Sequence, residues 1–224
     1  MFKNLMQFWK GKDFLTEVLE EFKNMLDDTH KMFEAVCNKL IYNKEEPGLV
    51  DRVYDIDKKV NELQRNIRKR IVEHLSIQPS VDVSTSLLLM SVVKDAERLG
   101  DYAKNLLEVI DLLEKPMDRK TYSALFNNTE KEILELFKKT KAAFIGSDEA
   151  QARSSWEYET AIKNRCNEIV EKAAKSSFSV NEAVCFALIA RYFKRIAAHL
   201  TNIATSVVVP LDELDYFDEK RKPT

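Results

Sequence analysis

Along most of its length the chain returns to an apolar residue every third or fourth position, the period of amphipathic helices rather than strands. Leu15, Val18, Leu19, Phe22, Leu26, Met32, Phe33, Val36 and Leu40 form one such stripe, which predicts a first helix from about Asp13, a fair N-cap, to Tyr42. Pro47-Gly48 breaks the pattern. A second stripe, Val53, Ile56, Val60, Leu63, Ile67 and Ile71, predicts a helix from about Leu49 to Leu75. The stretch around Pro79 ends it, and Ser80 or Asp82 can cap a third helix that reaches about Glu114, just before Pro116. The second half repeats this plan. A fourth helix is expected from about Asp118 to Ile145, with Gly146 as the residue after its end and Asp148 as the next cap. A fifth follows from Glu149 to Lys175. Ser179 to Glu182 reads as a capping box that opens a sixth helix running to about Val208, before Pro210. Three helices, a proline and three helices predict an all-α chain of two tandem antiparallel three-helix bundles, residues 1–115 and 116–224. The charged stretch after Leu211 is expected to fray.

Composition narrows the picture. Only four Gly and five Pro in 224 residues suit long helices with few connections. With 35 Lys+Arg against 37 Asp+Glu there is no electrostatic footprint for nucleic acid. Cys37, Cys166 and Cys185 are odd in number and each lies in an apolar pattern, which reads as reduced core cysteines in a cytoplasmic protein. No signal peptide and no apolar run near the ~20 residues of a membrane span are present. Phe2, Leu5, Met6, Phe8 and Trp9 predict a short N-terminal segment that packs on the body.

The two halves match in sequence as well as in plan. Asn61-Glu62-Leu63 has its counterpart in Asn167-Glu168-Ile169. Glu97 to Leu106 aligns with Lys194 to Ile203, so that Arg98 meets Arg195 and Asn105 meets Asn202. Both Arg are expected to pair with acids of neighbouring helices, and both Asn to bond between helices. Glu97 and Asp101, four apart, stack one turn above the other beside the apolar stripe. Half-sheltered carboxylates so placed repel unless something positive sits between them. Gly100 lies between them, permitting close helix approach while costing up to ~1 kcal/mol in helix propensity.

Asp95 through Leu106 resembles the signature of the PhoU family, Asp-Leu-Glu-Arg-Ile-Gly-Asp-His-Ala-x-Asn-Ile, and Val53 to Asn61 is similar to the acidic stretch on that family's preceding helix. The resemblance implies paired three-helix bundles whose acidic helix pairs bind iron or zinc. It also implies a cytoplasmic regulator acting between a phosphate transporter and a sensor histidine kinase, with membrane contact only through such a partner. Homo-oligomers are a further possibility. The metal ligands it implies here are Asp57, Asn61, Glu97 and Asp101, an oxygen-rich set suited to a hard or borderline cation. Glu108 extends the acidic row, and Lys94 and Lys104 border it.

The second half departs from the signature. Lys163 stands at the position of Asp57, Lys194 at that of Glu97 and Ala198 at that of Asp101, so one metal site is expected in the first repeat and none in the second. Anion binding by Lys163 and Lys194 is conceivable. Asp27-x-x-His30 hints at a carboxylate–histidine metal pair, but no second pair accompanies it. His199 reads as a boundary residue. No nucleophile–base arrangement or glycine-rich phosphate loop is present, so catalysis is not expected. Two rivals stand beside a metal-bearing regulator: a metal-free helical docking module, and a metal-storage or carboxylate-metal enzyme.

Overall fold

The computed structural model describes residues 13–214; the N-terminal apolar segment, the side chain of Asp13 and the charged tail lie outside the described residues. Among the described residues there are seven helices: α1 Asp13–Tyr42, α2 Leu49–Ile77, α3 Val83–Leu112, α4 Arg119–Phe126, α5 Thr129–Gly146, α6 Glu149–Ala174 and α7 Val180–Thr205. A short 3-10 turn, Leu211–Glu213, follows. No strand occurs among the described residues. The chain is an all-α bundle in which α1, α2 and α3 pack on one another, and α5, α6 and α7 do the same.

The boundaries follow local chemistry. Gly48 enters α2 with φ of 71°, a left-handed conformation that costs glycine nothing. Asp148 caps α6 by accepting from the N–H groups of Ala150 (3.0 Å) and Gln151 (3.1 Å). Ser179 and Glu182 form the expected capping box at α7. Asp82 precedes α3 but does not cap it: its φ is 57° and its carboxylate lies 3.5 Å from His74 Nε2 instead. Gly146 ends α5 as a helical residue, and Ser147 takes the left-handed position (φ 49°) that the sequence assigns to the glycine.

The expected fourth helix is two. Asn127 and Asn128 both adopt left-handed angles (φ 46° and 57°), which breaks the run into α4 and α5. Asparagine tolerates this conformation better than other non-glycine residues. The break brings Glu130, 1% exposed in the first turn of α5, under two phenols. Tyr42 Oη donates to it at 2.7 Å and Tyr122 Oη at 2.8 Å. Burial first, and then this carboxylate, push the Tyr42 phenol up to about 12. Glu130 thereby ties the end of α1 and the start of α4 to α5.

The two trios share one continuous apolar core. They meet along α3 and α7, which run antiparallel: Asn181 at the start of α7 donates to Leu112 O (2.7 Å) at the end of α3, and Asn181 Oδ1 accepts from Glu114 N (3.2 Å). Tyr102 and His199 occupy equivalent positions in the two repeats, and their rings stack on each other at 5.6 Å. Asp95 and Tyr192 are equivalent too: Asp95 Oδ1 lies 2.6 Å from His199 Nδ1, and Tyr192 meets Tyr102 at 6.0 Å. Equivalent residues thus face one another across a pseudo-twofold axis between α3 and α7. Beyond α7, Leu214 and Val209 close over Trp156, so the chain stays packed past the point at which fraying is expected.

Candidate functional site

The acidic helix pair lies where α2 crosses α3. Asp57 projects from the buried edge of α2 and is 8% exposed. Glu97 and Asp101 project from α3, with Gly100 between them turned toward α2 and α1. A Cβ built on Gly100 would stand 3.6 Å from Asp57 Oδ1 and 3.6 Å from Thr29 Cγ2, which is ordinary van der Waals contact. The interhelical approach therefore has room for an alanine, contrary to the role expected of this glycine.

The four residues implied as ligands do gather here, and cations stand among them. Asp57 Oδ2 accepts from Lys104 Nζ at 2.8 Å and from Asn61 Nδ2 at 3.2 Å. Lys104 Nζ also lies 3.4 Å from Asp101 Oδ1, so the ammonium bridges the two helices. On the other side of Asp101, Arg98 donates from Nη1 to Oδ2 at 2.9 Å, while its Nε stands 3.7 Å from Glu97 Oε2. Arg98 thus pairs with acids of its own helix rather than with a neighbouring one, because one and three residues along α3 bring them within reach. Burial chiefly, with Asp101 second, raises the Glu97 carboxyl above the usual carboxylate range. Burial opposes the charge on Lys104, but Asp57 and Asp101 outweigh it and hold the amine above the usual lysine range.

A metal ion needs lone pairs converging on one point, and this arrangement presents an ammonium there instead. Among the described residues no three His, Cys, Asp or Glu side chains are grouped so as to hold a metal. As arranged, the set does not fit a metal ion. The site is a satisfied ion network on the protein surface, able to lock two helices and to present a row of charge.

The second repeat carries the mirrored charges. Lys194 Nζ donates to Asn167 Oδ1 at 2.8 Å, whereas the equivalent Asn61 donates to an acid. Arg195 reaches across to the first repeat, its Nε donating to Tyr102 Oη at 3.1 Å, and so it finds a phenol rather than an acid. Asn202 does bond between helices, donating to Asp95 Oδ1 at 3.4 Å. Asp27 and His30 do not form a ligand pair: Asp27 is bound to Lys141, and His30 stacks on Phe137 at 5.1 Å. Sequence reading missed the Asp95–His199 contact, for which the only signal was a buried-edge acid in one repeat and a histidine in the other. All three cysteines are free and buried.

A family model described as the PhoU domain matches residues 1–110 and 126–207, one match on each repeat. A protein named phosphate-specific transport system accessory protein PhoU homolog from Clostridium acetobutylicum is 19% identical over 203 residues, 84% of this chain and 92% of the relative. A protein of the same name from Pseudomonas aeruginosa is 24% identical over 217 residues, 88% of each. With PhoU homolog 1 of Thermotoga maritima the identity is 26% over 106 residues, 47% of this chain and only 44% of the relative. The fold matches the crystal structure of PhoU from Pseudomonas aeruginosa with a TM-score of 0.73 at 22% identity, covering 87% of this chain and 95% of that one. It matches the phosphate transport system regulatory protein PhoU from Streptococcus pneumoniae with a TM-score of 0.75 at 16% identity, covering 93% and 95%. With the family signature on α3, its degenerate copy on α7 and a family match on both repeats, this chain belongs to the PhoU domain family.

Proposed function

We infer that the chain is a non-enzymatic accessory protein of phosphate transport that works by protein contact in the cytoplasm. Its partners on this reading are a component of a phosphate transporter, a sensor histidine kinase, or both. The observation that carries it is the family match on both repeats, together with relatives named as accessory proteins of a phosphate-specific transport system. The geometry is compatible with such work. Charged side chains at the α2–α3 and α6–α7 pairs are partnered at fixed positions on long helices, so each repeat presents a rigid, differently charged face. Among the described residues no helix is long and apolar enough to cross a membrane. Metal at Asp57, Asn61, Glu97 and Asp101 would accompany this function only if Lys104 withdrew.

Cross-linking in phosphate-replete cells, followed by purification of the tagged full chain, tests the inference. Enrichment of a phosphate-transporter subunit or of a phosphate-responsive kinase over a tag-only control is the expected result. Enrichment of neither, with the chain folded and expressed, would overturn it.

A further inference from the structure

Three carboxylates on facing helices repel one another, and here the chain answers that repulsion with its own side chain. We propose that Lys104 is the resident counter-ion of the α2–α3 acidic pair, that it and a metal ion exclude each other, and that the first repeat is therefore assembled without metal. Lys104 Nζ sits between Asp57 Oδ2 at 2.8 Å and Asp101 Oδ1 at 3.4 Å. Asp57 and Asp101 are the acids on the two helices that would have to hold a shared metal. An ammonium supplies three donors and no lone pair, so it neutralises the two acids and brings a positive charge, not a ligand, to the place a cation would take. Asn61 Nδ2 shares Asp57 Oδ2 with the ammonium, and Arg98 Nη1 takes the second oxygen of Asp101.

The second repeat gives an independent observation. Where Lys163, Lys194 and Ala198 replace the three acids, Thr201 replaces the lysine. Thr201 is buried and turns inward, its hydroxyl 3.5 Å from Ser155 O. Asparagine is retained in both repeats, donating to Asp57 in the first and accepting from Lys194 in the second. The cation at position 104 thus accompanies the acids it neutralises and is lost where they are lost. A lysine kept merely to solvate the helix surface has no reason to follow them.

The test is metal uptake and thermal unfolding of the full-length chain, stripped with chelator, desalted, and incubated separately with Fe²⁺, Zn²⁺ and Mn²⁺. Wild-type protein should retain no stoichiometric metal and show no metal-dependent change in Tm. Lys104→Met keeps the aliphatic stem and removes the charge. It should melt several degrees lower without metal, and should recover stability as metal is added, in the concentration-dependent way of a ligand that binds only the folded state. Asp57→Asn combined with Lys104→Met should abolish that recovery. Stoichiometric metal in the wild type that is lost in Asp57→Asn would overturn the proposal, whether or not the lysine variant folds. A Lys104→Met protein that is destabilised yet gains no metal would overturn the exclusion. One as stable as the wild type would overturn the counter-ion role.

Discussion

Lys104 shows how far a residue's role departs from its place in a pattern. Its position, three beyond Asp101 and seven beyond Glu97, puts it on the acidic face of α3. Sequence therefore brings it to the border of the site. Where the flexible stem ends depends on how closely α2 approaches, and only the packed structure shows the ammonium between the helices. Asp57, Glu97 and Asp101 were legible because helical spacing alone sets their face. Gly100 carries the opposite lesson, since its small size suggests a steric need that the structure does not contain. Gly100→Ala is expected to leave stability unchanged or raise it by up to ~1 kcal/mol, through helix propensity. Urea unfolding of the variant measures this directly. A loss of more than ~1 kcal/mol would mean that the helices cannot accommodate the added Cβ.

At the scale of elements, the long helices were legible because their apolar stripes run unbroken and their caps are strong. The capping box at Ser179 and the cap at Asp148 are both present. The break between α4 and α5 was not, because the apolar periodicity continues across it through Leu125, Phe126 and Ile133. Its signal was the Asn127-Asn128 pair, which reads as polar surface until both residues turn left-handed. Glu130 then holds the two pieces together beneath Tyr42 and Tyr122. A buried carboxylate that accepts from two phenols leaves both donors unsatisfied when it is removed. Glu130→Ala is accordingly expected to cost about 2–4 kcal/mol, with Glu130→Gln less damaging because the amide oxygen can still accept. Equal stability of Glu130→Ala and wild type in denaturant would show that the break is held by packing alone.

At the scale of the whole molecule, the duplication visible in sequence becomes a pseudo-twofold contact between α3 and α7, where Tyr102 meets His199. How closely the repeats join was not legible. The apolar stripes say that each trio has a core, but not that the two cores are continuous. The duplication preserved the scaffold while the charge diverged, with acids held by Arg98 and Lys104 in the first repeat and Lys194 bonded to Asn167 in the second. A symmetric fold with unlike faces suits a protein that must present different surfaces to its surroundings. The most direct measurement of its role is uptake of radiolabelled phosphate, with transcription of phosphate-starvation genes, in cells grown with ample phosphate before and after deletion of the gene. Altered uptake with starvation genes switched on, both restored by the full-length chain, is the expected result. Unchanged uptake and unchanged transcription in the deletion strain would contradict an accessory role in phosphate transport.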